Sequence, residues 1–558
     1  MRRRLRTWLE NRSVLAAAAA AVSGVWLVRE FRRSRARRGR AAFHRGALEV
    51  ALAPGATSAH SARLWGRSPS SGRHELRIEA AQGAPAHAVV PFDVPDDPSR
   101  DGTWTLTYPD DFPGAPALAP RTRYHFSVRH VDSQRELGQG QLETAPADAA
   151  SSPERYAFAV MSCHLPFDPD GASSERACRL LELLPDALER HGVKRVLMLG
   201  DQMYGDYPPS CSLFDADYFR DVAPAGRRTL LDCTREEVRR LYQQRHRIFW
   251  KHPSFAALEG RFPCHMILDD HEIVDNFGTS DEHASPRYDN LRGGALDAFY
   301  DYQASRALPL QGGERPREFH QEIEYGSSAI FLMDLRSERR AGADQIEVCS
   351  EDQWRALGEF LERQRDKHVL LLGLSVPLLH VPDWLATIGT ALDAGDGDIA
   401  DRWTNPKMQA SRDRLLHLVR EHQKQNPGQK LVLLGGDVHV GAVSRFAWSD
   451  GTPDTYQLIA SALSNREGFL LRELVSLTPS IRAVVGRDGD VEFLGELLRP
   501  PAAHSDADPG RNPYGELNVG IVEVERRSAR ESSVRLLLLG CSSGTDSRAE
   551  VVFDSGPL

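Results

Sequence analysis

Arg195-Val196-Leu197-Met198-Leu199-Gly200-Asp201-Gln202-Met203-Tyr204 is a hydrophobic run of strand length that ends abruptly in a glycine, a carboxylate and a phenol. Three other segments repeat the pattern. Tyr156–Met161 runs into Ser162-Cys163-His164, Cys264–Leu268 into Asp269-Asp270-His271-Glu272, and Leu431–Leu434 into Gly435-Gly436-Asp437-Val438-His439. Further apolar runs lie at Ala329–Leu335, Val369–Leu374, Tyr456–Ala460, Val519–Val524 and Val534–Leu539, with amphipathic helical stretches between several of them. In Glu175–Arg190, Leu180, Leu183, Leu184 and Leu188 share a face, and Gly192 stops the helix. Strands interleaved with helices predict an α/β body, in which ligands gather at the C-terminal strand ends.

A single carboxylate after a strand is an ordinary helix cap. Four strand ends carrying metal-binding side chains are another matter, because clustered carboxylates at a sheet edge are costly unless something positive sits among them. Asp201 and Tyr204 are three residues apart, so one helical turn would bring both to one side. Asp437 and His439 are two apart, which places both on one side of an extended strand end. Such close packing suits two adjacent metals sharing a carboxylate, and Asp201 is the natural bridge because its two oxygens can be divided. Gly200, Gly435 and Gly436 let the backbone approach and turn there. The chain has no Gly-x-Ser-x-Gly, no P-loop Gly-Lys-Ser/Thr and no His-Glu-x-x-His, which removes the usual nucleophile alternatives.

The ordered motifs Gly200–Tyr204 (GDxxY), Asp269–Glu272 (DDHE) and Gly436–His439 (GDVH) resemble those of the PhoD-like alkaline phosphatases and phosphodiesterases, within the calcineurin-like metallophosphatase superfamily. Asp334-Leu335-Arg336-Ser337 and Asp401-Arg402-Trp403 also resemble family segments. The resemblance covers roughly Tyr156 to the C-terminus. It implies two mixed sheets packed face to face and flanked by helices, with a dinuclear metal centre at the strand ends. Carried over residue by residue, Cys163, Asp201, Tyr204 and His439 would hold the first metal, and Asp201, Asp270 and Asp437 the second. The resemblance implies Fe(III) in the first site and Ca(II) in the second. His271 would be the catalytic residue beside the substrate, as hydrogen-bond donor or leaving-group acid. Arg336 is a candidate phosphate contact, with a structural salt bridge as the alternative. Cys163 stands where the wider superfamily opens its first motif with Asp, a substitution that marks this subfamily.

Physical chemistry agrees in part. Holding a tyrosine of pKa near 10 as phenolate at pH 7 costs roughly 4 kcal/mol, which a trivalent ion can supply. An all-oxygen second site suits a hard cation. A metal lowers the pKa of bound water from 15.7 to about 7, on the order of 12 kcal/mol, whereas a positioned general base contributes ~10²–10⁴, about 3–5 kcal/mol. A metal-activated hydroxide is therefore expected to dominate the chemistry.

The segment from Leu48 to about Thr144 has short alternating runs at Ser61–Trp65, His74–Ala80, Thr103–Tyr108 and Tyr124–Val131, separated by Gly/Pro/Asp-rich turns. That spacing predicts a β-sandwich. Leu118–Tyr124 resembles the tyrosine corner of fibronectin-III-like sandwiches; the alternative is an ordinary core tyrosine. The expected division is an N-terminal segment 1–45, a β-sandwich domain 46–146, a linker 147–155 and a metallophosphatase domain 156–558. The region 465–513 reads either as a lid or as a surface insertion. His164 and His265 read as packing or hydrogen-bonding residues.

Of the 558 residues, 41% are apolar and 26% charged, which rules out a multispan membrane protein and a disordered chain. Residues 1–45 hold thirteen Arg and two Glu, a net of +11, so the remainder of this chain of net charge -9 carries -20. Such an acidic body shows no nucleic-acid-binding face. The apolar run Ser13–Val28 spans roughly 24 Å as a helix, short of the ~30 Å hydrocarbon core. A short membrane anchor, an export signal and a surface-lying helix all fit it. The chain is thus expected to be membrane-associated or exported to the cell envelope, on an unresolved side. Seven scattered cysteines form no CxxC pair and no zinc-finger spacing. The functional expectation is a phosphoesterase acting on phosphate monoesters, diesters or both. The competing one is a membrane-tethered, inactive binding module on the same fold. Oligomeric state is open.

Overall fold

The computed structural model describes residues 37–81, 88–307, 315–378, 401–465, 483–499, 511–529, 531–541 and 548–558. Near the N-terminus a three-stranded sheet (Ala51–Thr57, Ala62–Arg67, Thr103–Tyr108) faces a four-stranded one in the order Ala88–Val94, Gly72–Ala80, Arg123–His130, Glu136–Glu143. Leu64, Leu106, Leu76, Ile78, Tyr124 and Val128 fill the space between them. The Ala119 N–H donates to the Tyr124 hydroxyl at 2.9 Å, so the tyrosine corner is present. The sandwich is seated firmly on the α/β body: Trp65 donates its indole N–H to the Asp301 carbonyl at 2.8 Å, and the Arg306 guanidinium lies 4.1 Å from the Trp65 ring centroid.

That α/β body is two sheets packed face to face. A six-stranded sheet runs Cys264–Ile267, Val193–Leu199, Arg155–Met161, Leu517–Arg526, Ser532–Cys541, Glu550–Pro557, its first three strands parallel. An eight-stranded sheet runs Gln321–Tyr325, Ser328–Leu332, Val369–Leu374, Lys430–Gly435, Thr455–Ala460, Gly441–Trp448, Val491–Leu497, Ala483–Asp488. Alternation along the strands decides which core each side chain joins. Phe158, Val160, Leu197 and Leu199 point between the sheets, against Ile330, Leu332, Leu371 and Leu434. Ala157, Ala159, Val196 and Met198 point outward, under the helices Glu175–Arg190, Arg235–Phe249 and Asp289–Tyr302. On the far side Phe331, Leu370 and Leu372 meet Trp354 and Leu357 of helix Glu351–Arg363 and Leu415 and Leu416 of helix Gln409–Gln425. Strands covered on both faces read as unbroken apolar runs, which is why these elements stand out in the sequence.

Helix Glu175–Arg190 starts where the Ser174 hydroxyl accepts from the Ala177 N–H. It buries Leu180, Leu184 and Leu188, with Leu183 at the rim, and the chain turns away at Gly192, φ +66°. All seven cysteines are buried and none is in a disulfide.

Two boundaries differ from expectation. Residues 37–44 are helical and belong to the α/β body rather than to a separable N-terminal segment ending at 45. Phe43 is 0% exposed, with its ring 4.8 Å from that of Phe167 and 6.2 Å from that of Phe249. The Lys251 ammonium donates to the carbonyls of Ala42, Phe43 and Arg45, closing the C-terminal end of this helix. The linker is partly built in, since Arg155 opens a strand and the buried Ser152 hydroxyl accepts from the Ser327 N–H at 2.7 Å. Within 465–513, strands Ala483–Asp488 and Val491–Leu497 extend the edge of the eight-stranded sheet. Residues 466–482 and 500–510, on which a lid would depend, and the apolar run 13–28 lie outside the described residues. Among the described residues no helix is long and apolar enough to cross a membrane.

Candidate metal centre

Strand register brings the four motif-bearing ends together. Met161 pairs with Met198 and Leu199 with Ile267 in one sheet; Leu374 pairs with Gly435 and Gly435 with Ile459 in the other. The chain leaves all of these strands at the same edge of the two-sheet stack. The sheets touch there through glycine: a Cβ on Gly436 would lie 2.8 Å from the Leu199 carbonyl and 2.9 Å from the Ser162 hydroxyl.

The exits are strained. Cys163 (φ 60°), Asp201 (φ 58°), Asp437 (φ 64°) and His439 (φ 52°) all adopt the left-handed backbone conformation that costs an L-residue roughly 1–2 kcal/mol. Four of six candidate ligands in that state marks the edge as a place where side-chain position takes precedence over backbone comfort.

The side chains converge. Donor atoms of Cys163, Asp201 and His439 lie within 4.8 Å of one another, and so do those of Asp201, Asp269, Asp270 and Asp437. Asp201 belongs to both groups. The Tyr204 hydroxyl donates to Asp201 Oδ2 at 3.3 Å and the Cys163 thiol lies 3.4 Å from the same oxygen. The other oxygen, Asp201 Oδ1, is buried with no hydrogen-bond partner. All seven site residues proposed from sequence other than Arg336 are therefore at this edge, counting His271, whose ring centroid is 4.4 Å from that of Tyr204.

The local geometry differs from the simple periodicities. Residues 200–206 form bends rather than a helical turn, and the left-handed Asp201 is what folds Tyr204 back toward its carboxylate. Asp437 and His439 do not share one side of a strand. The strand stops at Gly435, the Val438 N–H donates to the Gly436 carbonyl at 2.8 Å, and the two side chains enter different donor groups.

Electrostatics favours a cation. Burial, followed by repulsion from Asp270, Asp269 and Glu272, pushes Asp201 well above the usual carboxylate range. Burial and the Asp201 charge likewise raise Cys163 and Tyr204 well above theirs. Burial pulls His271 down, yet Asp206, Asp270 and Asp201 outweigh it and hold the imidazole well above its ordinary value. An orphaned buried carboxylate oxygen among thiol, phenol, imidazole and carboxylate donors fits metal ions.

Arg336 is a correction. Its side chain is 0% exposed and its guanidinium binds Asp269, Asp401 and the Phe277 carbonyl, so it is the structural salt bridge, buried behind the site rather than facing a substrate. His164 and His265 are hydrogen-bonded core residues, both pushed down to about 3 by burial. His164 meets the Phe249 carbonyl and the Ser464 hydroxyl, and His265 meets Gln321.

Sequence reasoning missed several residues at the site. Glu272 accepts from the backbone N–H groups of Asp201, Gln202 and Asp269, at 2.9, 2.7 and 2.8 Å, and so fixes two strand exits at once. The spacing Asp269-x-x-Glu272 is a capping-box pattern that could have signalled it. Asn465 donates to the Tyr204 hydroxyl at 3.2 Å and lies 2.9 Å from His439 Nε2. Asp206 holds His271, and Arg402 forms an ion pair with Asp437. Nothing local in the sequence ties Asn465 or Arg402 to residues so distant along the chain.

A double-sheet α/β sandwich with acidic, thiol and imidazole groups gathered at one edge defines a metallophosphatase fold. Residues 185–476, just over half of the chain, match the model of the PhoD-like phosphatase family, and the chain belongs to that family. The matched range contains every candidate ligand except Cys163. The chain is 23% identical over 342 residues to alkaline phosphatase D of Bacillus subtilis (strain 168), covering 59% of this chain and 53% of that protein. The match thus spans about half the length of that relative. A solved structure described as that of PhoD superposes with a TM-score of 0.60 at 15% identity, covering 90% of this chain and 88% of that one, a likeness of fold.

Proposed function

We propose that this protein is a metal-dependent phosphoesterase that hydrolyses phosphate monoesters, diesters or both at a dinuclear centre. The observation that carries the reading is Asp201, a buried carboxylate common to two donor groups with one oxygen left unpartnered. Cys163, Asp201, Tyr204 and His439 would hold one ion, with thiolate, phenolate and imidazole donors suited to Fe(III). Asp201, Asp270 and Asp437 would hold the other, an all-carboxylate set suited to Ca(II). Ions bound there would supply an activated water and neutralise the phosphoryl oxygens.

The chain's own residues do the rest. Glu272 and Ser461 fix the ligand loops, Ser461 by accepting the His439 N–H at 2.8 Å. Asn465 orients the Tyr204 hydroxyl and the His439 ring. His271, held by Asp206, is placed to give a proton to the departing alkoxide or to hydrogen-bond the phosphoryl oxygen. The complete donor set counts against an inactive binding module. The composition of residues 1–36 supports membrane association or export to the cell envelope as the setting for this activity. The test is metal analysis of the purified protein together with turnover of chromogenic phosphate diester and monoester. Metal-free, inactive protein that stays inactive on reconstitution overturns the reading.

A further inference from the structure

Beside the ions proposed above, a side-chain cation at the carboxylate cluster would add to the attraction of an anionic phosphate ester. Among the described residues two arginines form ion pairs with the carboxylate cluster. Arg336 reaches Asp269 and Asp270 from behind and is wholly buried. Arg402 meets Asp437 from the other side, and its side chain keeps 18% exposure. Its charge also reaches Asp270, helping to hold that carboxyl down.

Both chain neighbours of Arg402 are anchored. Its neighbour Asp401 is 2% exposed and locked by the guanidinium groups of Arg336 and Arg339. Its other neighbour, Trp403, is buried and donates its indole N–H to the Val376 carbonyl at 3.0 Å. The Arg402 carbonyl accepts from the Asn405 N–H at 2.8 Å. Between these two buried neighbours, Arg402 keeps partial exposure and pairs with Asp437, which is partly exposed as well.

We infer that Arg402 is the residue that binds the phosphoryl oxygens of the substrate, a role that rests on the phosphoesterase reading above. A carboxylate engaged on a cation has less negative charge to offer an arginine, so Asp437 in the loaded enzyme holds Arg402 less tightly. The guanidinium fork then matches two phosphoryl oxygens, which a lysine ammonium cannot do bidentately.

The test uses the full-length, metal-loaded protein and its Arg402→Ala, Arg402→Gln and Arg402→Lys variants. Metal content is read by elemental analysis, affinity for inorganic phosphate by titration calorimetry, and KM and kcat with a chromogenic ester. The expected result is wild-type metal content with phosphate affinity weakened about 10- to 100-fold in Arg402→Ala and Arg402→Gln, only partly restored in Arg402→Lys, and KM raised. If Arg402→Ala does not fold, Arg402→Gln carries the same reading. Phosphate affinity within twofold of wild type overturns the assignment, and so does loss of metal, which would make Arg402 a support for Asp437. Failure of the phosphoesterase reading is distinguishable, because then the wild-type protein itself would neither bind phosphate nor turn over the ester.

Discussion

Asp206 Oδ1 lies 2.9 Å from His271 Nδ1, and the second Asp206 oxygen accepts from the Asp275 backbone N–H at 2.7 Å. An ionised carboxylate only accepts, so Nδ1 of His271 carries a hydrogen and the ring's orientation is fixed by a group that is itself fixed. Tyr204 flanks the imidazole at 4.4 Å and Tyr207 at 5.6 Å between centroids. His271 is thus held by Asp206 and packed by aromatic rings; its imidazole also lies within 4.8 Å of donor atoms of Asp201 and Asp270, so the proposed split, with Asp270 a ligand and His271 facing substrate, rests on the Asp206 contact that occupies Nδ1. The division of roles between adjacent residues has consequences that can be measured.

His271→Ala is expected to keep both metals while turnover falls by ~10²–10⁴. The loss should be smaller for esters with good leaving groups, such as nitrophenolate, which hardly need a proton. Asp206→Asn should show the same dependence on leaving group with a smaller loss, because it disturbs orientation and leaves the imidazole in place. Equal losses for good and poor leaving groups would show that His271 stabilises charge without donating a proton. Loss of metal in His271→Ala would make it a ligand or a ligand's support.

Tyr204 should form a phenolate–Fe(III) bond that absorbs visible light. Tyr204→Phe is expected to bleach the band while circular dichroism stays that of the wild type. An iron-loaded, active wild type without such a band would falsify the assignment. Asp201→Ala, by removing the shared carboxylate, should lose metal and activity together.

Much of this site was legible because parallel strands covered on both faces announce themselves as apolar runs, and the residues just past each run lie at a common edge. Cys163, Asp201, Asp270 and Asp437 were found that way. What was not legible is how the edge is held. Helical and extended periodicity both failed at residues 200–204 and 437–439, because left-handed Asp201, Asp437 and His439 replace regular backbone there. Asn465 and Arg402 depend on contacts between segments far apart in sequence, which no local pattern encodes. Strand Glu136–Glu143 of the sandwich was also missed, since its two glycines and polar residues form a strand only by pairing with Arg123–His130. The two readings of Arg336 could not be separated for a related reason: an arginine in a motif resembles a phosphate contact until Asp269 and Asp401 are seen closing around it.

The docking of residues 37–44 changes where the chain can be cut. A form starting near Gly46 loses Phe43 and should be less stable than one starting at Arg37, by an amount comparable to a core Phe→Ala substitution, about 3–5 kcal/mol. Phe43→Ala in the full chain should show much of the same loss, measured by denaturant unfolding. A form starting at Arg37 should keep wild-type turnover. Equal stability of the two truncated forms would mean that the 37–44 helix does not hold its place against Phe167 and Phe249.

Metal should matter most to stability at higher pH. Burial raises Asp269 to about 6 and Glu272 to about 7, and pushes Asp201 well above the usual carboxylate range. A carboxyl whose folded pKa lies above its unfolded value favours the folded state below the unfolded pKa, and that contribution is lost as pH rises through the folded pKa. Metal-stripped protein should therefore lose stability as pH climbs from about 4 through 7, the interval between the unfolded carboxylate value and those of Asp269 and Glu272. Metal ligands must be deprotonated, so loading expels protons from Asp201, Cys163 and Tyr204, and apparent affinity rises with pH. The gap in Tm between loaded and stripped protein should widen from pH 5 to pH 8, and calorimetric metal titrations in buffers of different ionisation enthalpy should reveal proton release. A gap that stays constant across that range, with no proton release, would mean that the cluster is already ionised without metal, and that burial does not govern its charge.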